Sequence, residues 1–170
     1  MNITLLGYMT SGKTSIGKLI QKELNYTWID LDLEIEKKEK LEINKIFEIK
    51  GEIYFRKIER EVLLEFLNKN NNIISLGGGT PCYYNNIDEI NEFSTSFYLN
   101  TSIFELVNRI KLFKNNRPLV KTKTEEELTE YVAKHLFERI PFYNKANHII
   151  KTDNKSFEEI ANEIINIIKY

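Results

Sequence analysis

Cysteine, proline and glycine are all scarce in this chain of 170 residues, with one, three and seven copies respectively. The single cysteine, Cys82, excludes an internal disulfide and a metal site built from several cysteines, and it fits a reducing compartment such as the cytoplasm. No apolar run approaches the ~18 residues that a membrane-spanning helix needs, and no signal peptide is visible. We therefore expect a cytoplasmic protein without a membrane partner.

The chain also lacks an excess of charge of either sign. Its net charge is −1, so we do not expect a nucleic-acid partner held by diffuse positive charge. Hydrophobic residues make up 42% of the chain and charged residues 29%, which is ordinary for a globular protein. At this length we predict a single domain, residues 1–170, that buries a proper core and acts as a monomer.

What the chain does contain is a phosphate-binding loop near its start. Residues 7–14, Gly-Tyr-Met-Thr-Ser-Gly-Lys-Thr, fit the pattern GxxxxGK[ST] without a mismatch. An apolar strand pattern precedes them at 2–6 and a helical pattern follows at 15–24, as the motif requires. Backbone N–H groups at such a helix start bind anions, Lys13 would reach the β- and γ-phosphates, and Thr14 would ligate Mg²⁺. The motif predicts a nucleoside-triphosphate site.

Strand and helix patterns alternate along the rest of the chain. This predicts an α/β fold with a five-stranded parallel sheet flanked by helices on both faces, and ligands beyond the carboxyl ends of its strands. The segment from about 33 to 67 exceeds one crossover helix and is predicted to form an insert over that rim. The predicted strands are 2–6, 26–31, 73–76, 94–99 and 148–151. The predicted helices are 15–24, 33–40, 43–49, 52–67, 102–113, 125–137, 141–145 and 157–168, with a mobile loop at 114–123.

The phosphate loop alone does not choose between switches, motors and small-molecule kinases. A switch GTPase needs a DxxG segment, which the chain lacks, and residues 144–147, Asn-Lys-Ala-Asn, lack the aspartate of a guanine-reading motif. A motor-type ATPase usually has a magnesium carboxylate after a later strand, whereas residues 77–79 after the third strand are glycines. The available acids are Asp30 and Asp32, after the second strand. This pattern favours a kinase.

Asp30 and Asp32 suit two roles beside a phosphate site. One carboxylate can hold Mg²⁺, directly or through water, while the other orients and deprotonates an acceptor hydroxyl. The alternative is a helix cap, which explains one aspartate well and two poorly.

Three arginines and a glycine turn complete the candidate site. Arg56, Arg117 and Arg139 each offer a planar fork for a carboxylate or phosphate, and Glu59 follows Arg56 at i+3 to orient it. For each arginine alone, a surface ion pair is an equal alternative. The turn at 77–79 can present bare N–H groups to a substrate oxygen, or it can be only a tight turn.

Taken in series, these pieces resemble the shikimate kinase family, in the nucleoside-monophosphate-kinase-like group of P-loop proteins. The matching segments are G-Y-M-T-S-G-K-T-S-I-G, W-I-D-L-D-L-E-I-E, F-R-K-I-E, S-L-G-G-G-T, R-P-L and E-R-I-P-F-Y. Their order and spacing cover nearly the whole chain. The resemblance implies a three-layer P-loop kinase fold with a lid at about 112–124. It also implies ATP-dependent phosphorylation of the 3-hydroxyl of shikimate, in chorismate and aromatic amino-acid biosynthesis.

The resemblance also implies roles for individual residues. Asp32 would hold shikimate hydroxyls and act as the base, Asp30 would support Mg²⁺ through water, and Thr14 would ligate it. Arg117 would move in with the lid and neutralise the transferring phosphoryl group. Arg109 and Lys155 are weaker candidates at the nucleotide end. The ATP phosphates would be wrapped by Thr10, Ser11, Gly12, Lys13, Thr14 and Ser15. The shikimate carboxylate and ring would be held by Arg56, Gly78, Gly79 and Arg139.

One departure from the family pattern and three alternative functions remain. Thr10 stands where the family usually has glycine, so we expect altered nucleotide affinity. A kinase for another hydroxylated acid such as gluconate should lack the paired clamp of Arg56 and Arg139. A nucleoside-monophosphate kinase would take a nucleotide as acceptor, and a binding switch would show no acceptor-dependent turnover.

Overall fold

A five-stranded parallel sheet forms the centre of the computed structural model, which describes residues 1–112 and 124–169. Its strand order is β2-β3-β1-β4-β5, and every neighbouring pair runs parallel. The predicted sheet is therefore confirmed. The strands are β1 (Asn2–Leu6), β2 (Thr27–Asp30), β3 (Asn72–Ser75), β4 (Ser94–Asn100) and β5 (His148–Lys151).

Helices cover both faces of this sheet, which gives the predicted three layers. Neighbouring strand residues point to opposite faces, so Ile73 packs with one apolar cluster and Ile74 with another. The first cluster includes apolar residues of α1 and α7, and the second those of α2, α3 and α4. The helices are α1 (Lys13–Leu24), α2 (Leu31–Glu39), α3 (Ile43–Leu67), α4 (Asn86–Phe93), α5 (Ile103–Leu112), α6 (Glu125–Tyr143) and α7 (Phe157–Lys169), with a 3₁₀ turn at Thr80–Cys82.

Two elements differ from the sequence prediction. Helix α4 was not predicted, because its segment is polar, but it buries Ile87 and Ile90 and the Asn86 side chain donates to the Thr80 carbonyl at 2.8 Å. Helix α6 was predicted as two helices separated before Pro141, whereas it is continuous. Proline removes only one hydrogen bond near the helix end. The buried Tyr143 keeps the last turn packed.

A break at Gly51 divides α3 into two helical segments. Gly51 has φ 79° and ψ 170°, a conformation that side-chain-bearing residues rarely adopt. The two predicted helices at 43–49 and 52–67 therefore match the two segments. The rings of Phe47 and Phe55, one from each segment, lie 4.4 Å apart across the break. Glu39 at the end of α2 accepts a hydrogen bond from Tyr54 at 3.0 Å, which ties α2 to the second segment.

Residues 113–123, most of the predicted lid, lie outside the described residues. Within the described ranges, no helix combines the length and apolar character needed to cross a bilayer.

Candidate active site

A cavity of about 820 Å³ opens at the carboxyl ends of the strands. It is lined by residues that lie far apart in the sequence, from the phosphate loop, α2, α3, the glycine turn and α6. The sequence predictions that reach its wall are Thr10, Gly12, Lys13, Thr14, Ser15, Asp30, Asp32, Arg56, Gly77, Gly78, Gly79, Arg109 and Arg139.

Of the candidates that the structure describes, Ser11 and Lys155 do not line the cavity, and Lys155 pairs with Glu163 at 2.6 Å. The Ser11 side chain is buried, its Oγ has no hydrogen-bond partner among the described residues, and its backbone N–H donates to the Tyr8 carbonyl at 3.2 Å. Any contact of Ser11 with a phosphate would therefore involve a change in the loop. Arg117 lies outside the described residues.

The phosphate loop leads directly into α1. Gly12, with φ 101°, precedes the first helical residue, Lys13. The Lys13 ammonium group donates to the Gly7 carbonyl at 2.8 Å and to the Tyr8 carbonyl at 2.9 Å. A positive charge and the N-terminal end of a helix dipole thus meet at one end of the cavity, which suits a polyphosphate.

Thr10 adopts a backbone conformation that is costly for a β-branched residue. Its φ is 63°, in the left-handed region, and its hydroxyl donates to the Met9 carbonyl at 2.6 Å. The Thr10 carbonyl in turn accepts from Nη1 of Arg109 at 3.3 Å. The family pattern has glycine at this position, and glycine would adopt this torsion without strain.

We predict that Thr10→Gly stabilises the fold by roughly 0.5–1 kcal/mol. Relief of the left-handed torsion gains about 1–2 kcal/mol, and the extra freedom of glycine in the unfolded chain offsets about 0.5–1 kcal/mol. Urea unfolding measures the difference. Asn25→Gly is the matched control: Asn25 also has a left-handed φ, 55°, which asparagine tolerates, so the gain should be smaller. A loss of stability in Thr10→Gly would contradict the inference that the left-handed torsion of Thr10 destabilises the fold. Nucleotide affinity should also change, since Thr10 lines the cavity.

Asp30 and Asp32 both belong to the start of α2. The sequence placed both at the end of a strand, but α2 begins at Leu31, so Asp32 lies in its first turn. Asp30 is the N-cap, and its Oδ1 accepts from the Leu33 backbone N–H at 3.4 Å. The cap interpretation therefore holds for Asp30, whereas Asp32 faces the cavity.

Asp32 is a weakened acid. Burial raises its pKa to about 6, helped by the negative charges of Asp30 and Glu59 and opposed by Lys13. A carboxyl group with a pKa near neutrality is suited to proton transfer, because its two protonation states are close in free energy.

Oxygen atoms suited to Mg²⁺ meet beside this acid. The Thr14 hydroxyl lies 3.5 Å from Oδ2 of Asp30 and can donate to it. Hydroxyl and carboxylate oxygens are what Mg²⁺ prefers, and it keeps several of its ligands as water and phosphate oxygens. The described residues contain no group of three or more His, Cys, Asp and Glu side chains that could hold a metal alone. The residues present therefore fit a magnesium held jointly with a nucleotide.

The glycine turn brings three distant side chains together. A Cβ on Gly77 would lie 2.8 Å from Oδ1 of Asp32. One on Gly78 would lie 2.9 Å from Nη1 of Arg139, and one on Gly79 would lie 2.9 Å from Nη2 of Arg56. Each missing side chain thus leaves room for one predicted substrate-binding residue. Because consecutive Cα atoms are only about 3.8 Å apart, these three functional groups converge on one short segment.

Arg56 forms an ion pair with a buried acid, Glu59. Its Nη1 donates to Oε2 of Glu59 at 2.8 Å, and Oε1 of Glu59 accepts from the Thr80 hydroxyl at 2.6 Å. Glu59 is 1% exposed, so its charge depends on these two partners. The predicted orienting role of Glu59 agrees with this contact.

Arg139 has no such acidic partner in the part of the chain that the structure describes. Its guanidinium lies 5.3 Å from the Tyr8 ring centroid, and among residues 1–112 and 124–169 no carboxylate lies within 4 Å of it. Tyr143 donates to the Gly78 carbonyl at 2.5 Å, and burial raises the pKa of this phenol. The positive charge of Arg139 is therefore available to an anion in the cavity.

Several contributors to the site were not predicted. Phe157 packs against Gly12, where a Cβ would lie 2.8 Å from its ring, and the Arg109 guanidinium lies 5.4 Å from its centroid. Tyr83 lies against Arg56, with its ring centroid 3.9 Å from Cζ. The only sequence signal for either was an aromatic residue close to a predicted turn. Nδ1 of His135 lies 3.4 Å from the Tyr8 hydroxyl.

Fold and site together define a P-loop kinase for a small anionic acceptor. A family model described as shikimate kinase matches residues 9–169. The shikimate kinase of Flavobacterium johnsoniae is 46% identical over 172 residues, covering 98% of both chains. A crystal structure of shikimate kinase from Bacteroides thetaiotaomicron superposes with a TM-score of 0.94 at 33% identity, covering 100% of this chain and 99% of that one. A structure of shikimate kinase from Acinetobacter baumannii in complex with shikimate superposes with a TM-score of 0.88 at 30% identity, covering 99% of this chain and 92% of that one.

The chain belongs to the shikimate kinase family.

Proposed function

We propose that the chain transfers the γ-phosphoryl group of ATP to the 3-hydroxyl of shikimate, using the cavity residues described above. Family membership makes it an ATP-dependent kinase of the shikimate pathway, which leads to aromatic amino acids. The observation that supports the residue roles is the convergence of Asp32, Arg56 and Arg139 on the glycine turn.

The acceptor end of the cavity suits a cyclic hydroxy acid. Arg56 and Arg139 present two guanidinium forks to one carboxylate, which charge-assisted hydrogen bonds hold in a fixed orientation. Asp32 accepts hydrogen bonds from ring hydroxyls at the opposite side. Gly78 and Gly79 allow the ring to approach the backbone, because no side chain stands in the way.

Asp32 acts as the general base. It orients the 3-hydroxyl and accepts its proton as the oxygen attacks the γ-phosphorus, and the bond from that phosphorus to the β-phosphate bridging oxygen breaks to release ADP. Lys13, together with Arg117 from the proposed lid, neutralises charge on the phosphoryl group. Thr14 and Asp30, the latter through water, would hold Mg²⁺. When bound, the metal would offset the negative charge of the phosphates.

The phosphate loop indicates which end of the cavity binds the nucleotide. Residues 10–15 wrap the phosphates, with Lys13 above them and the N-terminus of α1 behind them. Arg109 and Phe157 lie at this end of the cavity, where they would flank the base.

We further propose that the protein acts as a monomeric single domain in the cytoplasm, without a nucleic-acid partner. The single cysteine supports a reducing compartment such as the cytoplasm, and the net charge of −1 supports the absence of a nucleic-acid partner.

A coupled assay of ADP release tests the proposal. With ATP and Mg²⁺, shikimate should give rapid release, whereas gluconate, AMP or no acceptor should give little. Chelating Mg²⁺ with EDTA should abolish turnover, and adding it back should restore it. If gluconate or AMP gave ADP release as fast as shikimate, the assignment of shikimate as the acceptor would be wrong. ADP release without any acceptor would indicate a nucleotide hydrolase.

A further inference from the structure

The outer edge of Arg56 already has a carboxylate partner. Its Nε lies 3.4 Å and its Nη2 3.5 Å from the same atom, Oε1 of Glu52. Both contacts are long, whereas the inner contact of Nη1 with Glu59 is 2.8 Å. The guanidinium is thus firmly bound on one side and loosely bound on the other.

Tyr83 holds Glu52 in this place. The Tyr83 hydroxyl donates to the same Oε1 at 2.7 Å, and its ring lies against the guanidinium with 3.9 Å between centroid and Cζ. This hydrogen bond is the main reason that the pKa of Glu52 is lowered, with Arg56 also contributing. Glu52 is therefore an anion at neutral pH, directly beside the proposed carboxylate clamp.

The approach of a substrate carboxylate would put three anions around one guanidinium. Glu59 cannot leave, because it is 1% exposed and bound to Thr80. The Glu52 side chain is 55% exposed and its bonds to Arg56 are long, so it is the one that yields. Its bond to Tyr83 is short and does not require Arg56, so this partner remains after displacement.

We propose that Glu52 is an internal competitor for the substrate carboxylate at Arg56, and that Tyr83 is a positioning residue that receives Glu52 when it is displaced. This inference rests on the proposed function. It adds a filter for the acceptor: a cyclic polyol without a carboxylate cannot displace Glu52, so it finds the outer edge of Arg56 covered. A carboxylate can make a better pair with that edge than the long contacts of Glu52.

Replacing Glu52 by glutamine should therefore improve substrate binding. In Glu52→Gln the KM for shikimate should fall roughly two- to fivefold, the range expected for a partly exposed ion pair. The change should affect KM rather than kcat, and the KM for ATP should not follow it. Glu48→Gln is the matched control: it removes the same charge from α3, but Glu48 pairs with Lys45, so the KM for shikimate should not change.

Tyr83→Phe tests the second part, because it keeps the ring and removes the hydroxyl. The KM for shikimate should rise by a similar factor, since displaced Glu52 has lost its partner, and Tyr83→Phe should have no effect on top of Glu52→Gln. Calorimetric Kd values for shikimate should follow both changes. An unchanged or raised KM in Glu52→Gln, or an effect of Tyr83→Phe that persists in the double variant, would overturn the inference. Absence of shikimate-dependent turnover in the unmodified protein would instead overturn the proposed function.

Discussion

Asp32→Asn is expected to lower kcat by about 10²- to 10⁴-fold, the range for loss of a general base. Asparagine keeps the size of the side chain and can still contact a hydroxyl, but it cannot take its proton. ATP binding should survive, because Lys13 and the phosphate loop are untouched. Coupled ADP release and calorimetric titration with ATP measure the two effects. Equal loss of both in a folded variant would contradict the role of Asp32 as the base.

The same variant should be more stable than the wild type at pH 7. The pKa of Asp32 is about 6 in the folded protein against 3.8 unfolded, so between these values only the folded state holds the proton. Stability therefore falls as pH rises through this window, and above it the ionised carboxylate costs the fold roughly 1–3 kcal/mol. Thermal unfolding should show the gain of Asp32→Asn at pH 7 and its disappearance near pH 4. A loss of stability in Asp32→Asn at pH 7 would mean that the ionised Asp32 carboxylate does not destabilise the folded protein.

Asp30→Asn is the control for these results. Asparagine caps a helix about as well as aspartate, so α2 should remain intact. The expected changes are a higher requirement for Mg²⁺ and a stability gain at pH 7 that is smaller than that of Asp32→Asn, because the charge of Asp30 is a smaller cause of the raised pKa of Asp32 than burial is.

Arg139→Ala should raise the KM for shikimate by about 10²-fold, because truncating one partner of a desolvated charge pair costs roughly 2–5 kcal/mol. The KM for ATP should change far less. Stability should change little, since no described carboxylate depends on Arg139. Arg139→Lys should recover only part of the affinity, because the ammonium group lacks the planar fork.

Arg56→Ala should show the same rise in KM together with a loss of stability. Removing Arg56 leaves the buried Glu59 without its cation, which costs about 3–5 kcal/mol. The double variant Arg56→Ala/Glu59→Gln should recover most of the stability but none of the affinity, because glutamine can still accept from Thr80 without a buried charge. Steady-state kinetics and urea unfolding of the wild type, Arg56→Ala and the double variant measure both effects. Parallel changes in the KM values for ATP and shikimate would mean that Arg56 is not a substrate clamp.

The sheet and the phosphate loop were predictable because their signals are local. A strand pattern, a glycine loop and a helical pattern follow each other within residues 2–24, and the structure has β1 and α1 there. Helix α4 was missed because two apolar residues, Ile87 and Ile90, are too few to show a period. Helix α6 continues past Pro141 because tertiary packing of Tyr143 outweighs one lost hydrogen bond.

Within the site, residue types were predictable and their neighbours were not. The aspartates and arginines were identifiable from their motifs. That each glycine of the turn faces one of them is a tertiary relation, with contacts such as Gly78 to Arg139 spanning some 60 positions. The contact of Tyr83 with Glu52 and Arg56 has no local signal either, because α3 and the segment after the turn meet only in the folded protein.

The interruption of α3 at Gly51 lies between two segments that both line the cavity. Nothing lies within 4 Å of the place where a Cβ of Gly51 would stand, so space is not what selects glycine there. The backbone torsion selects glycine instead, because a residue that kept the helix straight would change the direction of the first segment of α3, which carries the cavity-lining residues Ile43 and Phe47. A single backbone torsion, outside both the phosphate loop and the glycine turn, thus positions part of the cavity wall.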